Sequence, residues 1–165
     1  MLVEALDGSM RCSYYTADYR NAIAYAQLLI ESGTADDNQR VYARYISAKS
    51  YQSMGNTDKA TEAFEQVEQG SADEMGAEAK YELCLSAFRK GQTDQSEALI
   101  YELSENYSDY PYWVAKGFIL LADIYVQRGN TFQAEQTLQS IIDNFEGDDL
   151  RQVAQEKLNQ LKSQN

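Results

Sequence analysis

The chain has 165 residues, 14 basic and 26 acidic, for a net charge of −12, with no histidine, one proline and nine glycines. That length is one domain's worth, and the charge works against binding to nucleic acid or to anionic lipid. Without histidine there is no imidazole base and no HExxH zinc site, and so few turn formers argue against a β-rich fold.

Taken in chain order, the sequence reads as repeated pairs of helices. The first pair spans about residues 3–35 and carries Met10, then Ala17, then a small residue at Ala22. The second spans about 37–70. Val41, Tyr45, Ala48 and Tyr51 keep helical spacing until SMGNT breaks it. Gly55 suits a left-handed C-terminal cap, and Thr57 reads as the N-cap of a helix whose buried stripe is Ala60, Phe64 and Val67. The third spans about 72–107, with Ser71 capping a helix that runs to Arg89 and Thr93 capping the next. The fourth spans about 110–146 and opens on Pro111, a residue tolerated in a first helical turn. A last helix over 148–163 has one apolar stripe, Leu150, Val153, Ala154, Leu158 and Leu161, and suits the end of a stacked array.

The pairs are copies of one unit. AKSYQSMGNTDKATEAF from Ala48, CLSAFRKGQTDQSEALI from Cys84 and ADIYVQRGNTFQAEQTL from Ala122 align without gaps. Gly55, Gly91 and Gly129 fall at one position, where the first copy has Ala17. The small residues Ala22, Ala60, Ser96 and Ala134 recur at intervals of 38, 36 and 38. Such units bury their faces only against neighbours, so residues 1–165 read as a single stacked domain.

This pattern resembles the tetratricopeptide repeat (TPR). Ala48, Tyr51, Ala60 and Phe64 carry the motif best, followed by Ala122, Tyr125, Ala134 and Leu138. The units exceed the usual 34 residues, and Leu29, Val67, Leu103 and Ile141 replace the small residue late in the second helix. The resemblance implies an all-α, right-handed helical-hairpin solenoid of four TPR-like repeats plus a C-terminal capping helix. The last two copies are also similar to the C-terminal ends of larger TPR proteins of Bacteroidetes. The chain accordingly reads as a fragment with a natural C-terminus and a cut N-terminus.

The resemblance further implies a concave groove, built from the first helix of each unit, that binds a peptide or a partner's helix. The groove-facing candidates are Arg11, Tyr14, Tyr42, Tyr45, Lys49, Tyr81, Leu85, Phe88, Arg89, Lys116 and Asp123. Tyr15, Gln52, Ile119 and Val126 lie on the same helix faces. Tyrosine and arginine suit such a face because they bury large area at low entropic cost. Asparagines that would complete a carboxylate clamp with Arg11, Lys49 and Lys116 are missing.

The expected role is a non-enzymatic interaction scaffold or adaptor with a protein or peptide partner. Neither nucleic acid nor membrane insertion is expected, and self-association through the first hairpin is a further surface. The alternatives are a purely structural segment of a longer array, a cell-envelope assembly factor, or an enzyme-regulatory domain. No phosphate loop or dinucleotide fingerprint is present, so no cofactor is expected. The acidic stretch from Asp58 to Glu82 reads as solvated surface, and Cys12 and Cys84 as small core residues. No basic and apolar leader opens the chain. As it stands the chain reads as cytoplasmic; an export signal removed with an upstream segment would place it in the periplasm or envelope.

Overall fold

The computed structural model describes residues 2–163, and Met1, on which the reading of a cut N-terminus bears, lies outside them. Among the described residues there are nine α-helices and no strand: α1 Leu2–Tyr15, α2 Tyr19–Glu31, α3 Asp37–Ser53, α4 Thr57–Gly70, α5 Glu74–Arg89, α6 Thr93–Asn106, α7 Pro111–Gln127, α8 Thr131–Asn144 and α9 Asp148–Ser163. They form two compact units, one ending at Glu82 and the other beginning at Leu83, so the division falls inside α5. No described helix is long and apolar enough to cross a membrane.

Four of the turns are one device used four times. Gly55, Gly91 and Gly129 have φ of 74°, 76° and 73°, and Ala17 matches them at 60°. At each, two crossed hydrogen bonds close the helix end. The Gly55 N–H donates to the Gln52 carbonyl at 3.0 Å and the Asn56 N–H to the Tyr51 carbonyl at 2.9 Å. The same pair recurs at Ala17 and Asp18, at Gly91 and Gln92, and at Gly129 and Asn130. This is the Schellman closure, and glycine suits it because it has no Cβ to oppose a left-handed φ.

The residue that ends each closure also begins the next helix. Asp18, Asn56, Gln92 and Asn130 are the N-caps of α2, α4, α6 and α8. Thr57 and Thr93 are therefore first helical residues and not caps, which corrects the sequence reading by one position. α5 starts at Glu74, and Asp73 just before it accepts at Oδ1 from the Met75 N–H and from the Ser71 hydroxyl, so the carboxylate nearest the helix start is that of Asp73 and not the Ser71 side chain that the sequence suggests. α3 begins with a reciprocal capping box between Asp36 and Gln39.

In the first unit the core gathers Val3 and Met10 of α1, Ala22, Ala26 and Leu29 of α2, Ala35 in the joint, and Ala43 and Ile46 of α3. In the second, Cys84, Ile100, Leu120, Leu121 and Ile124 form one cluster. Ala115, Ile119, Ala122, Ala134, Leu138, Ile141, Leu150, Ala154 and Leu158 form another, with α9 laid on α8. Small residues are buried in both helices of the last three pairs, at Ala48 and Ala60, Cys84 and Ser96, and Ala122 and Ala134, whereas the first pair sets Met10 with Ala22. The Ser96 hydroxyl, fully buried, donates to the Cys84 carbonyl at 2.8 Å. Leu29, Val67, Leu103 and Ile141, the residues that depart from the repeat pattern, are all buried. Cys84 is buried as expected, whereas Cys12 is exposed, because it follows Met10 by two positions on α1 and so leaves the buried stripe.

Candidate partner-binding face

In the first unit, helical spacing sets Arg11, Tyr14 and Tyr15 on one side of α1, and Tyr42, Tyr45 and Lys49 on one side of α3. The structure brings them together. The Arg11 guanidinium lies 4.0 Å from the Tyr42 ring centroid and donates to its hydroxyl at 3.1 Å. Tyr42 and Tyr45 stand 6.3 Å apart between centroids, and Tyr14 lies 5.6 Å from Tyr15 and 6.0 Å from Tyr19. Tyr14, Tyr42 and Tyr45 are half-buried, while Tyr15 is 75% exposed. Burial, above all, raises the Tyr14 and Tyr42 hydroxyls above their usual pKa.

The positive charge on this face is not loose. Arg11 is paired with Asp7 at 2.7 Å, four residues back on the same helix. Lys49 donates to Glu78 Oε1 at 2.7 Å, and the Tyr45 hydroxyl donates to Glu78 Oε2 at 2.6 Å. Burial pulls the Lys49 ammonium down, but the Glu78 hydrogen bond and charge outweigh it, and the net shift is upward. Burial and then Glu78 drive Tyr45 strongly upward. Glu78 itself is only 9% exposed.

Glu78 was legible only as part of a solvated acidic stretch, and that reading is corrected here. Gln52 donates to Glu82 at 2.7 Å, and Lys80, also buried, pairs with Glu68 at 3.5 Å. The available signal was local. In GAEAKYE, Glu78 is flanked by small apolar residues and shares a helix face with Tyr81 and Glu82, three and four positions on. Tyr19, at the start of α2, was also missed. Tyr81 is half-buried.

The candidates of the second unit are placed differently. Leu85 and Phe88 are half-buried against Cys84, Ile100 and Leu121, so their apolar surface is partly used in the core. Arg89 is exposed in the last turn of α5. The Lys116 ammonium sits 4.6 Å from the Trp113 ring and 5.7 Å from that of Tyr112, whose rings meet edge to face at 5.2 Å. Asp123 accepts from Lys157 of α9 at 2.6 Å. Ile119 is core, and Val126 is 41% exposed. Sequence reasoning missed Arg128, which forks to Asp94 at 2.6 Å and Glu97 at 2.5 Å. Away from these residues, a cleft of about 530 Å³ opens between the start of α7 and the end of α8, with Pro111, Val114, Phe118 and Ile141 in its wall. Among the described residues no cluster of three acids or cysteines is placed to hold a metal.

A tetratricopeptide repeat-like domain model matches residues 70–165, and a tetratricopeptide repeat model matches residues 42–69. No curated protein sequence matches the chain. Among solved structures, BtubC (BKLC) from P. vanneervenii is similar with a TM-score of 0.75 at 17% identity, over 98% of this chain and 72% of its own. Nearly identical TPR-like repeats from Podosopora anserina reach 0.67 at 17% identity, over 99% of this chain and 88% of theirs. The MamA protein reaches 0.67 at 17% identity, over 97% and 90%. Likeness at this identity shows the fold, the all-α helical-hairpin solenoid that the repeats imply. With a domain model matched over more than half its length, the chain belongs to the tetratricopeptide repeat family.

Proposed function

We propose that the chain is a non-enzymatic interaction module that receives a peptide or partner helix on the aromatic side of its first helices. Repeats of this family generally mediate protein–protein interaction, and the fold is typically non-catalytic. The observation that carries the reading is the run of tyrosines in the first unit. Tyr14, Tyr15, Tyr42 and Tyr45 lie side by side, only partly buried, with Arg11 stacked at one edge and the Lys49–Glu78 pair beneath. Such a patch offers large apolar area with hydroxyls that satisfy a peptide backbone. In the second unit, Arg89 of α5 and Tyr112, Lys116 and Val126 of α7 keep accessible surface.

Photo-crosslinking tests this. A benzophenone side chain at Tyr14 or Tyr42 should give a discrete protein adduct in the source lysate, and one at exposed Gln95 should not. Adducts of equal yield at all three positions, or at none, would reject the groove. A second reading, stacking of the first hairpin on further repeats or a second copy, draws on the exposed Leu2 and Leu28, which with Leu6 line a cleft of about 500 Å³. A probe at Leu28 separates the two.

A further inference from the structure

One groove recurs along the chain, floored by the first helix of a repeat and walled by its second helix and the second helix of the repeat before. In the second repeat α3 is the floor, between α2 and α4. In the fourth it is α7, between α6 and α8. The shift that sets Ala48 on Ala122 also pairs Asp37 with Pro111, Arg40 with Val114, Arg44 with Phe118 and Glu62 with Gln136. Every charge at these four positions is gone from the fourth repeat.

The exchange changes what the groove can hold. In the second repeat Arg40 is tied to Asp37 at 3.1 Å and to the Ser32 carbonyl at 3.3 Å. Gly70 lies so close to Val41 that an added Cβ would stand 2.7 Å from its Cγ2. Only about 230 Å³ stays open, with Arg44 and Glu62 in the wall. In the third repeat the position of Arg44 is taken by Lys80, buried and paired with Glu68 at 3.5 Å. In the fourth it is the Phe118 ring, and Ala115 and Asn144 stand where Val41 and Gly70 meet; the cleft there is about 530 Å³.

The walls of this cleft are apolar and firmly held. Ala115 and Ile141 belong to the core, and Phe118 and Phe145 pack against it. Among the described residues, none that lines the cleft is charged. Its polar groups already serve the fold. The Ser104 and Thr137 hydroxyls each donate at 2.8 Å to a carbonyl of their own helix, and Asn144 donates to the Ser140 carbonyl at 2.9 Å. A charged ligand would give up its hydration here and gain no counter-ion. An uncharged one gains by burial against two aromatic rings, and the volume is that of an ordinary small-molecule pocket.

We infer that the cleft between α6, α7 and α8 binds an uncharged, mainly hydrophobic small molecule. No residue of the tyrosine face lines it, so either assignment can fail alone.

The test uses the whole chain and N-phenyl-1-naphthylamine, a neutral dye that brightens in apolar surroundings. It should saturate at one site per chain. Displacement by 1-naphthalenemethanol, 1-naphthoate and 1-naphthylmethylammonium then compares one ring system carrying no charge, a negative charge and a positive charge. The alcohol should displace the dye, and both ions should be weaker by about tenfold. Phe118→Arg restores the cation of the preceding repeats, Thr137→Trp fills the cleft from α8, and each should abolish the site. No saturation in the wild type, displacement by either ion as effective as by the alcohol, or dye binding unaltered in the folded variants would each overturn the assignment. So would loss of the dye in Leu28→Glu, which would place it in the cleft of the first hairpin. Displacement by N-acetyl-tryptophanamide as effective as by the alcohol would give the cleft to a partner's side chain instead. Should Phe118→Arg fail to fold, Thr137→Trp and the three matched probes still decide.

Discussion

Lys49 and Glu78 meet at 2.7 Å although they lie on different helices, and Tyr45 shares the same carboxylate from its other oxygen. The pair ties α3 to α5 within the first unit. Because Glu78 is the common acceptor, its loss strands two donors, while loss of either donor leaves the acid with one. Glu78→Ala should lower stability by about 2–3 kcal/mol, reduced from the fully buried case by the partial exposure of Lys49. Lys49→Met and Tyr45→Phe should each cost about 1 kcal/mol. Urea unfolding of the three variants checks the order; Glu78→Ala milder than either partner would remove the shared-acceptor account.

The same cluster makes stability fall at alkaline pH. Lys49 sits above its usual value of 10.5, and Tyr45 above its usual 10.0. Both hold their protons more tightly in the folded state, so their contribution is complete below about pH 10 and is lost as the pH climbs further. Unfolding midpoints between pH 8 and 11.5 should be flat and then decline. The Tyr45→Phe, Lys49→Met double variant should decline less steeply, though not flatly, since Tyr14 and Tyr42 are raised as well.

Ala17 is the one non-glycine among the four Schellman turns, and its φ of 60° is unfavourable for a residue with a Cβ. Ala17→Gly should raise stability by about 1 kcal/mol, and Gly129→Ala should lower it by a similar amount. Thermal melts of the two single variants measure both signs.

Gly117 lies where α7 crosses α6. A Cβ there would stand 3.0 Å from Leu103 Cδ2 and 3.4 Å from Ile100 Cγ2, and both neighbours are almost wholly buried. Gly117→Val should therefore destabilise by about 2–3 kcal/mol despite valine's better helix propensity. A melt no lower than that of the parent would mean the α6–α7 joint has room to give.

The two thiols should differ sharply. Cys12 is exposed and Cys84 is fully buried among Ile100, Leu121 and Ile124. A maleimide reagent should label one site quickly on the native protein and the second only on unfolding. Peptide mapping that finds Cys84 modified first would contradict the core assignment.

Much of the fold was legible because it rests on backbone requirements. Only a left-handed turn explains glycine at 55, 91 and 129, and the small residues at Ala48 and Ala60, Cys84 and Ser96, and Ala122 and Ala134 mark close helix crossings. The caps slipped by one residue because Asn56 and Gln92 serve two helices at once, while Thr57 and Thr93 look like better N-caps on their own. The tyrosines of the candidate face were legible as one helix side, and the ion pairs around them were not. Periodicity shows which side of α3 bears Lys49, but nothing in one sequence pairs it with Glu78, 29 residues away.

The double use of Asp18, Asn56, Gln92 and Asn130 has a consequence for how such chains change over time. Each is the last residue of one helix closure and the cap of the next helix, so the bend contains no slack. A single inserted residue would turn the following helix by about 100° and swing its buried stripe into water. Length drift is thereby forced out of the bends and into the joints between hairpins. The chain records this: Met10 to Ala22, Ala48 to Ala60, Cys84 to Ser96 and Ala122 to Ala134 are each twelve residues, while whole repeats vary between 36 and 38. Insertions that lengthen the joints are the ones this architecture is built to survive.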